Sequence, residues 1–185
     1  MKQNKKIIRL AGFGMVASGV GITILVVLFA VMTVYLFGGF KGFDLIEEMD
    51  LKHYLSELDF VGRAIGLFFW LLPDALGLWF CCVAFVLFRG FRNNGVFTID
   101  AALRLRKIGW LIFLLAPVTT VSETLGGLIL TCMNNCRNEI ADDVVISVSL
   151  EDTDIFALVI GLLIVAVGHI FVEAVRVSEE NDAFV

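Results

Sequence analysis

Four long apolar runs constrain what this chain can fold into more than any other feature of its sequence. A helix needs about 20 apolar residues to cross the roughly 30 Å hydrocarbon layer of a bilayer, and each run reaches or approaches that length. The composition agrees, because 59% of the residues are hydrophobic against about 45–50% in soluble domains. We therefore predict an all-α integral membrane protein, an up-down four-helix bundle forming one membrane domain over residues 1–185. The predicted membrane helices are residues 10–37, 64–88, 108–131 and 155–175.

The distribution of basic residues predicts the orientation of these helices. Lysine and arginine collect in cytoplasmic loops, whereas acidic residues contribute little to orientation. Four basic residues lie in the N-terminal tail, five between the second and third helices and one after the fourth, against four in the other two loops. We expect a multi-pass protein of the bacterial inner membrane with both termini cytoplasmic. Its two acidic outer loops are then residues 38–63 and 132–154.

The segment between the second and third helices carries the densest basic cluster. Asn94-Gly95 is a turn signal, Thr98 is a suitable N-cap, and Asp100 would lie in the first helical turn, where the helix dipole favours an acid. A basic pre-helix at 98–107 is expected to run directly into the third span. Long basic side chains at such a boundary reach lipid headgroups, and a cytoplasmic partner is the other expected contact. The basic residues concerned are Arg89, Arg92, Arg104, Arg106 and Lys107. Direct nucleic-acid binding is not expected, because topology alone accounts for these charges.

Two segments of the chain resemble a known family. "GVFTIDAALRLRKIGW" contains a Phe-Thr pair, Phe97-Thr98, before a basic Leu-rich stretch that ends in Lys107-Ile108-Gly109, and "IFVEAVRVSEENDAFV" ends in an acidic tail after Phe171. Together with the four spans, they resemble the bacterial four-helix membrane family called domain of unknown function 2975. That resemblance implies no established reaction. It does imply that the chain is the membrane partner of a small cytoplasmic helix-turn-helix transcription regulator.

Two acids lie inside the predicted spans. Asp74 and Glu123 are each about 12–15 Å from the outer surface when counted at 1.5 Å per residue, so they are expected at one level. Ionisable groups at such depth are costly and mark functional sites by default. Pro73 and Pro117 lie nearby, and proline frees a helix carbonyl and favours a kink. We consider a proton or cation site with Ser122 as a hydroxyl ligand, or protonated acids that hydrogen-bond between helices.

Three further features lie on or near the predicted helices. His169 and Glu173, one turn apart on the last helix, are interpreted as an interfacial pair or a proton relay. Cys132 and Cys136, four residues apart at the outer end of the third helix, are either free thiols or a disulfide. Ala17 with Gly21, and Gly62 with Gly66, are small-residue pairs that permit close helix contact.

These features indicate a non-enzymatic protein. The sequence contains no nucleophile with an adjacent base, no phosphate-binding glycine loop and no metal-ligand cluster, so we expect no catalytic residue, metal or cofactor. The leading hypothesis is a regulatory or partner-binding membrane protein, with a homo-oligomer as an additional expectation. One alternative is a small proton- or ion-coupled transport component that uses Asp74 and Glu123. Another is an immunity-type membrane protein that acts through its acidic outer loops.

Overall fold

Four long helices make up the part of the chain that the computed structural model describes, which is residues 5–38, 60–138 and 152–182. They are α1 (Lys5–Gly38), α2 (Phe60–Asn94), α3 (Ile99–Asn138) and α4 (Asp152–Asp182). Each helix extends past its predicted membrane span at both ends, because a helix continues into polar residues as long as its backbone hydrogen bonds do. Most of the two predicted outer loops lies outside the described residues. Of the acids assigned to an immunity role, only Asp152 and Asp154, in the first turn of α4, are described.

All four helices are long and apolar enough to cross a membrane. Their apolar segments contain 30, 34, 35 and 30 residues, and at 1.5 Å per residue about 20 residues already span the hydrocarbon layer. Large apolar side chains are exposed on every helix, including Val27 on α1, Trp79 on α2 and Leu163 on α4. That pattern is typical of helices whose outer surface faces lipid rather than water.

The chain divides into two compact units. The first comprises Met1–Leu25, Leu76–Pro117 and Glu151–Val185, and the second comprises Val26–Ala75 and Val118–Leu150. The core cluster lies in the first unit, where buried Ala84, Leu87, Ala101 and Ile108 are surrounded by partly buried aromatic and aliphatic side chains. The first unit therefore holds the region between α2 and α3 that carries the basic cluster.

Within the first unit, α1 packs on α2 through a stripe of small residues. A methyl group at Gly14 would lie 2.6 Å from the ring of Phe88, and one at Gly21 would lie 3.1 Å from Cys81 Sγ. The stripe contains Ala11, Gly14, Ser18 and Gly21, which recur at the helical spacing of three and four residues. Ala17 is exposed, so the predicted pairing of Ala17 with Gly21 is wrong. In an almost wholly apolar helix, no polar face marks which small residues face inward.

Also in the first unit, α3 and α4 approach until their backbones touch. A methyl group at Gly161 would lie 2.5 Å from the backbone nitrogen of Phe113, and one at Gly109 would lie 2.6 Å from that of Val165. Gly168 lies in the same way against the backbone of Arg106. These three contacts occur at regular intervals along two antiparallel helices. Glycine allows such close packing because it has no side chain.

The turn between α2 and α3 has the local chemistry that the sequence predicts. Gly95 has a φ of 89°, a left-handed conformation that suits glycine. The Thr98 hydroxyl accepts a hydrogen bond of 3.2 Å from the Ala101 amide, and Asp100 lies in the first turn of α3. The N-cap and turn predictions are confirmed, and α3 runs from Ile99 into the apolar segment without a break.

Candidate functional site

The basic residues of the predicted cytoplasmic contact lie on the last turns of α2 and the first turns of α3, here called the hairpin surface. Arg89, Arg92 and Lys107 are exposed, and Arg104 and Arg106 are partly buried. Within the described residues, no carboxylate forms an ion pair with any of the five. The hairpin surface therefore presents positive charge that no acid of the described chain neutralises.

Arg104 differs from its neighbours because it is held against α2. Its Nη1 donates a long hydrogen bond of 3.4 Å to the carbonyl oxygen of Val86. A methyl group at Gly90 would lie 3.1 Å from the same nitrogen. The glycine thus leaves room for the guanidinium to lie close to the α2 backbone. Sequence reasoning missed Gly90, although a lone glycine between Arg89 and Phe91 near the end of a helix is a signal that could have drawn attention to it.

The hairpin surface is joined to α4 by an aromatic contact. The ring of Phe97, in the turn, packs edge-on against Phe171 with the centroids 5.6 Å apart. Phe97 and Phe171 come from the two segments that carry the family resemblance. Those segments are far apart in the sequence, so their meeting in space was not predictable from either one alone.

The end of α4 carries the other predicted polar residues. His169 and Glu173 are both exposed, and no hydrogen bond or ion pair joins them among the described residues. One turn further on, Arg176 Nε donates to Glu180 Oε1 at 3.2 Å. The helix continues to Asp182, so most of the acidic tail is part of α4. The proton-relay interpretation of His169 and Glu173 stays a prediction.

The two acids of the predicted spans lie in the second unit. A methyl group at Gly126 of α3 would lie 3.2 Å from Phe69 Cβ of α2, so these residues are level with each other. Asp74 lies five residues from Phe69 and Glu123 lies three residues from Gly126, both toward the hairpin. At 1.5 Å per residue, the two acids differ by only about 3 Å along the helix axes.

No hydrogen bond joins the two carboxylates in the described part of the chain. At about 100° per residue, Asp74 is turned roughly 140° around α2 from Phe69, and Glu123 roughly 60° around α3 from Gly126. Both acids are exposed, and neither has a hydrogen-bond or ion-pair partner in the described part of the chain. Ser122 is 5% exposed, so it faces the inside of the unit while the neighbouring Glu123 does not.

Cys81 and Cys82 have free thiols, and Cys132 is exposed. The Cys136 side chain lies outside the described residues, so its pairing with Cys132 stays a prediction. Across the described ranges, no three His, Cys, Asp or Glu side chains are close enough together to hold a metal ion.

The fold places the chain in a class of proteins with four helices that are long and apolar enough to span a membrane. Residues 61–185 match the family described as protein of unknown function DUF2975, and the chain belongs to that family. The match covers α2, α3 and α4 and leaves out α1, so the hairpin surface and the α3–α4 packing both fall inside it. No curated protein and no solved structure matches the chain.

Proposed function

We propose that this chain is a multi-pass protein of the bacterial inner membrane, with both termini cytoplasmic, that binds a regulatory protein through the hairpin surface. It has no catalytic role in this proposal. The partner class comes from the family resemblance, which implies a small cytoplasmic helix-turn-helix transcription regulator.

One observation carries the proposal: the Phe97–Phe171 contact joins the basic hairpin to α4. Beyond Phe171, α4 presents exposed Glu173, Glu179 and Glu180. The two segments that carry the family resemblance therefore supply a basic region and an acidic region of the same unit. Complementary charge on a partner would orient it on such a surface and speed its association.

Retention of the regulator on the full-length protein tests this proposal. The tagged protein is purified from its own cells in mild detergent, and a co-purifying small DNA-binding protein is expected. Arg104→Gln combined with Arg106→Gln should release it. The matched control is Lys5→Gln with Lys6→Gln, which removes two charges elsewhere in the same unit and should retain the partner. If no such protein co-purifies, or if both double variants retain it equally, the proposal is wrong.

A second candidate function rests on the matched levels of Asp74 and Glu123. Carboxyl groups at one depth are the groups that a proton- or cation-coupled transport component would use. Both acids are exposed and neither has a hydrogen-bond or ion-pair partner among the described residues, so a shared ion would need further groups, such as those of a second copy of the chain. Proteoliposomes test this candidate, because proton or cation flux that survives Asp74→Asn with Glu123→Gln would exclude it.

A further inference from the structure

We propose that Arg104, seated against α2, forms a binding site for the phosphate of an anionic lipid headgroup. The inference rests on the proposed placement of the hairpin at the cytoplasmic membrane surface. It adds a ligand to that surface, and it singles out one arginine among five basic residues.

The contact with α2 fixes the direction of the Arg104 guanidinium. Only Nη1 is engaged, by the 3.4 Å bond to the Val86 carbonyl, and a guanidinium has five N–H donors in a planar fork. The remaining donors are available to phosphate oxygens, which the fork matches in a bidentate way. Gly90 favours the arrangement, because a Cβ there would lie 3.1 Å from Nη1 and a larger side chain would compete with the guanidinium for the same space.

Other cations lie at the same level. Arg104 is level with Gly90, and antiparallel counting then puts Arg89, Arg92 and Lys107 within three residues of that level, about 4.5 Å along the helix axes. All three are exposed. From Arg89 to Lys107 the chain has five basic residues and a single acid, Asp100. A bound anion would therefore meet a positive field from several sides.

The position along α3 favours a lipid over a soluble phosphate compound. Trp110, six residues after Arg104, is 47% exposed, and tryptophan is enriched at headgroup depth in membrane proteins. The uncharged stretch of α3 begins two residues earlier, at Ile108. A phosphate bound to Arg104 would thus lie where headgroups lie, and basic clusters next to membrane helices bind anionic headgroups.

The test measures lipid binding to the purified full-length protein in an uncharged detergent by native mass spectrometry. Phosphatidylglycerol is compared with phosphatidylethanolamine of the same acyl chains, and the anionic lipid should bind preferentially. Arg104→Gln should weaken its binding roughly tenfold, since a charge-assisted contact is lost. Arg92→Gln removes the same charge from an exposed position, so it should cost no more than roughly threefold.

Two further variants keep a positive charge at position 104 but disturb the contact of its side chain with α2. Gly90→Leu should weaken binding almost as much as Arg104→Gln. Arg104→Lys should bind the anionic lipid little better than Arg104→Gln does, because an ammonium group cannot form the bidentate contact with phosphate that a guanidinium forms. Thermal unfolding in lipid-free detergent identifies any variant that fails to fold, and Gly90→Ala then replaces Gly90→Leu, with a smaller loss expected.

Three results would overturn the inference. Equal losses for Arg104→Gln and Arg92→Gln, or no loss for Gly90→Leu, would mean diffuse attraction without a site. Equal binding of the two lipids would exclude recognition of net negative charge. Displacement of the lipid by glycerol 3-phosphate at comparable concentration would assign the site to a soluble phosphate compound. Because no regulator is present, a failure here is distinct from loss of the partner in co-purification.

Discussion

Phe97, in the turn between α2 and α3, packs its ring against Phe171 of α4 with the centroids 5.6 Å apart. The contact connects the two segments by which the chain resembles its family. It also places the basic hairpin beside the helix that ends in acidic residues. The proposed partner surface depends on this connection, so the contact is a direct target for mutation.

A double-mutant cycle on Phe97→Ala and Phe171→Ala should show a coupling energy between the two rings. Aromatic pairs are worth roughly 0.5–1.5 kcal/mol beyond their burial, and the lower end is expected because Phe97 is 76% exposed. Denaturant unfolding in detergent measures the coupling. Phe13→Ala with Phe171→Ala is the control pair, since Phe13 is similarly exposed and makes no ring contact with Phe171. A coupling no larger than that of the control pair would refute the connection.

The close packing of α3 on α4 predicts a severe effect for Gly161→Ala. The added methyl group would lie 2.5 Å from the Phe113 backbone nitrogen, so the helices must separate. Overpacking of this kind costs roughly 1–3 kcal/mol. Gly12→Ala is the control, because nothing lies within 4 Å of its added methyl group and alanine favours a helix by up to about 1 kcal/mol. Thermal unfolding should show a lower Tm for the first variant alone, and equal Tm values would argue against backbone contact.

Loss of the α3 N-cap should loosen the first turn of that helix. The Thr98 hydroxyl satisfies the Ala101 amide, and replacing such a cap by alanine costs about 1 kcal/mol. Amide hydrogen exchange at Ala101 should therefore be roughly fivefold faster in Thr98→Ala. Thr98→Ser keeps a hydroxyl and should exchange at the wild-type rate. Unchanged exchange in Thr98→Ala would show that the cap does not hold this turn.

The Arg176–Glu180 ion pair should contribute little to stability. Its side chains are 65% and 60% exposed, and exposed pairs one helical turn apart are worth about 0.3–0.5 kcal/mol. Glu180→Gln should leave the Tm of the full-length protein unchanged within error. A drop as large as that expected for Gly161→Ala would mean that the acidic end of α4 is buried in a contact outside the described residues.

Local chemistry was predictable from the sequence, and helix packing was not. Thr98 and Gly95 act within a few residues of chain, so their types alone indicate a cap and a turn. The face of α1 that packs on α2 was misjudged, because Ala17 and Ser18 are both small and no polar face distinguishes them. Four apolar runs, in contrast, predict four long helices whatever their packing.

The candidate sites show the same division. The basic residues of the hairpin could be identified from the sequence. The contact of Arg104 with α2, in contrast, depends on the register between α2 and α3 that puts Gly90 opposite Arg104. Likewise, equal depth of Asp74 and Glu123 follows from counting residues along two helices. The exposure of both acids follows only from which faces of α2 and α3 touch, as at Phe69 and Gly126, and the sequence does not show which faces these are.

The central claim is that the chain spans the membrane with its hairpin on the cytoplasmic side. Labelling single cysteines in intact cells with a membrane-impermeant maleimide tests it most directly, after Cys81, Cys82, Cys132 and Cys136 are replaced. Asn93→Cys, at the exposed end of α2, should react only after permeabilisation. Asp152→Cys, at the exposed start of α4, should react in intact cells. Labelling of Asn93→Cys in intact cells would contradict the account.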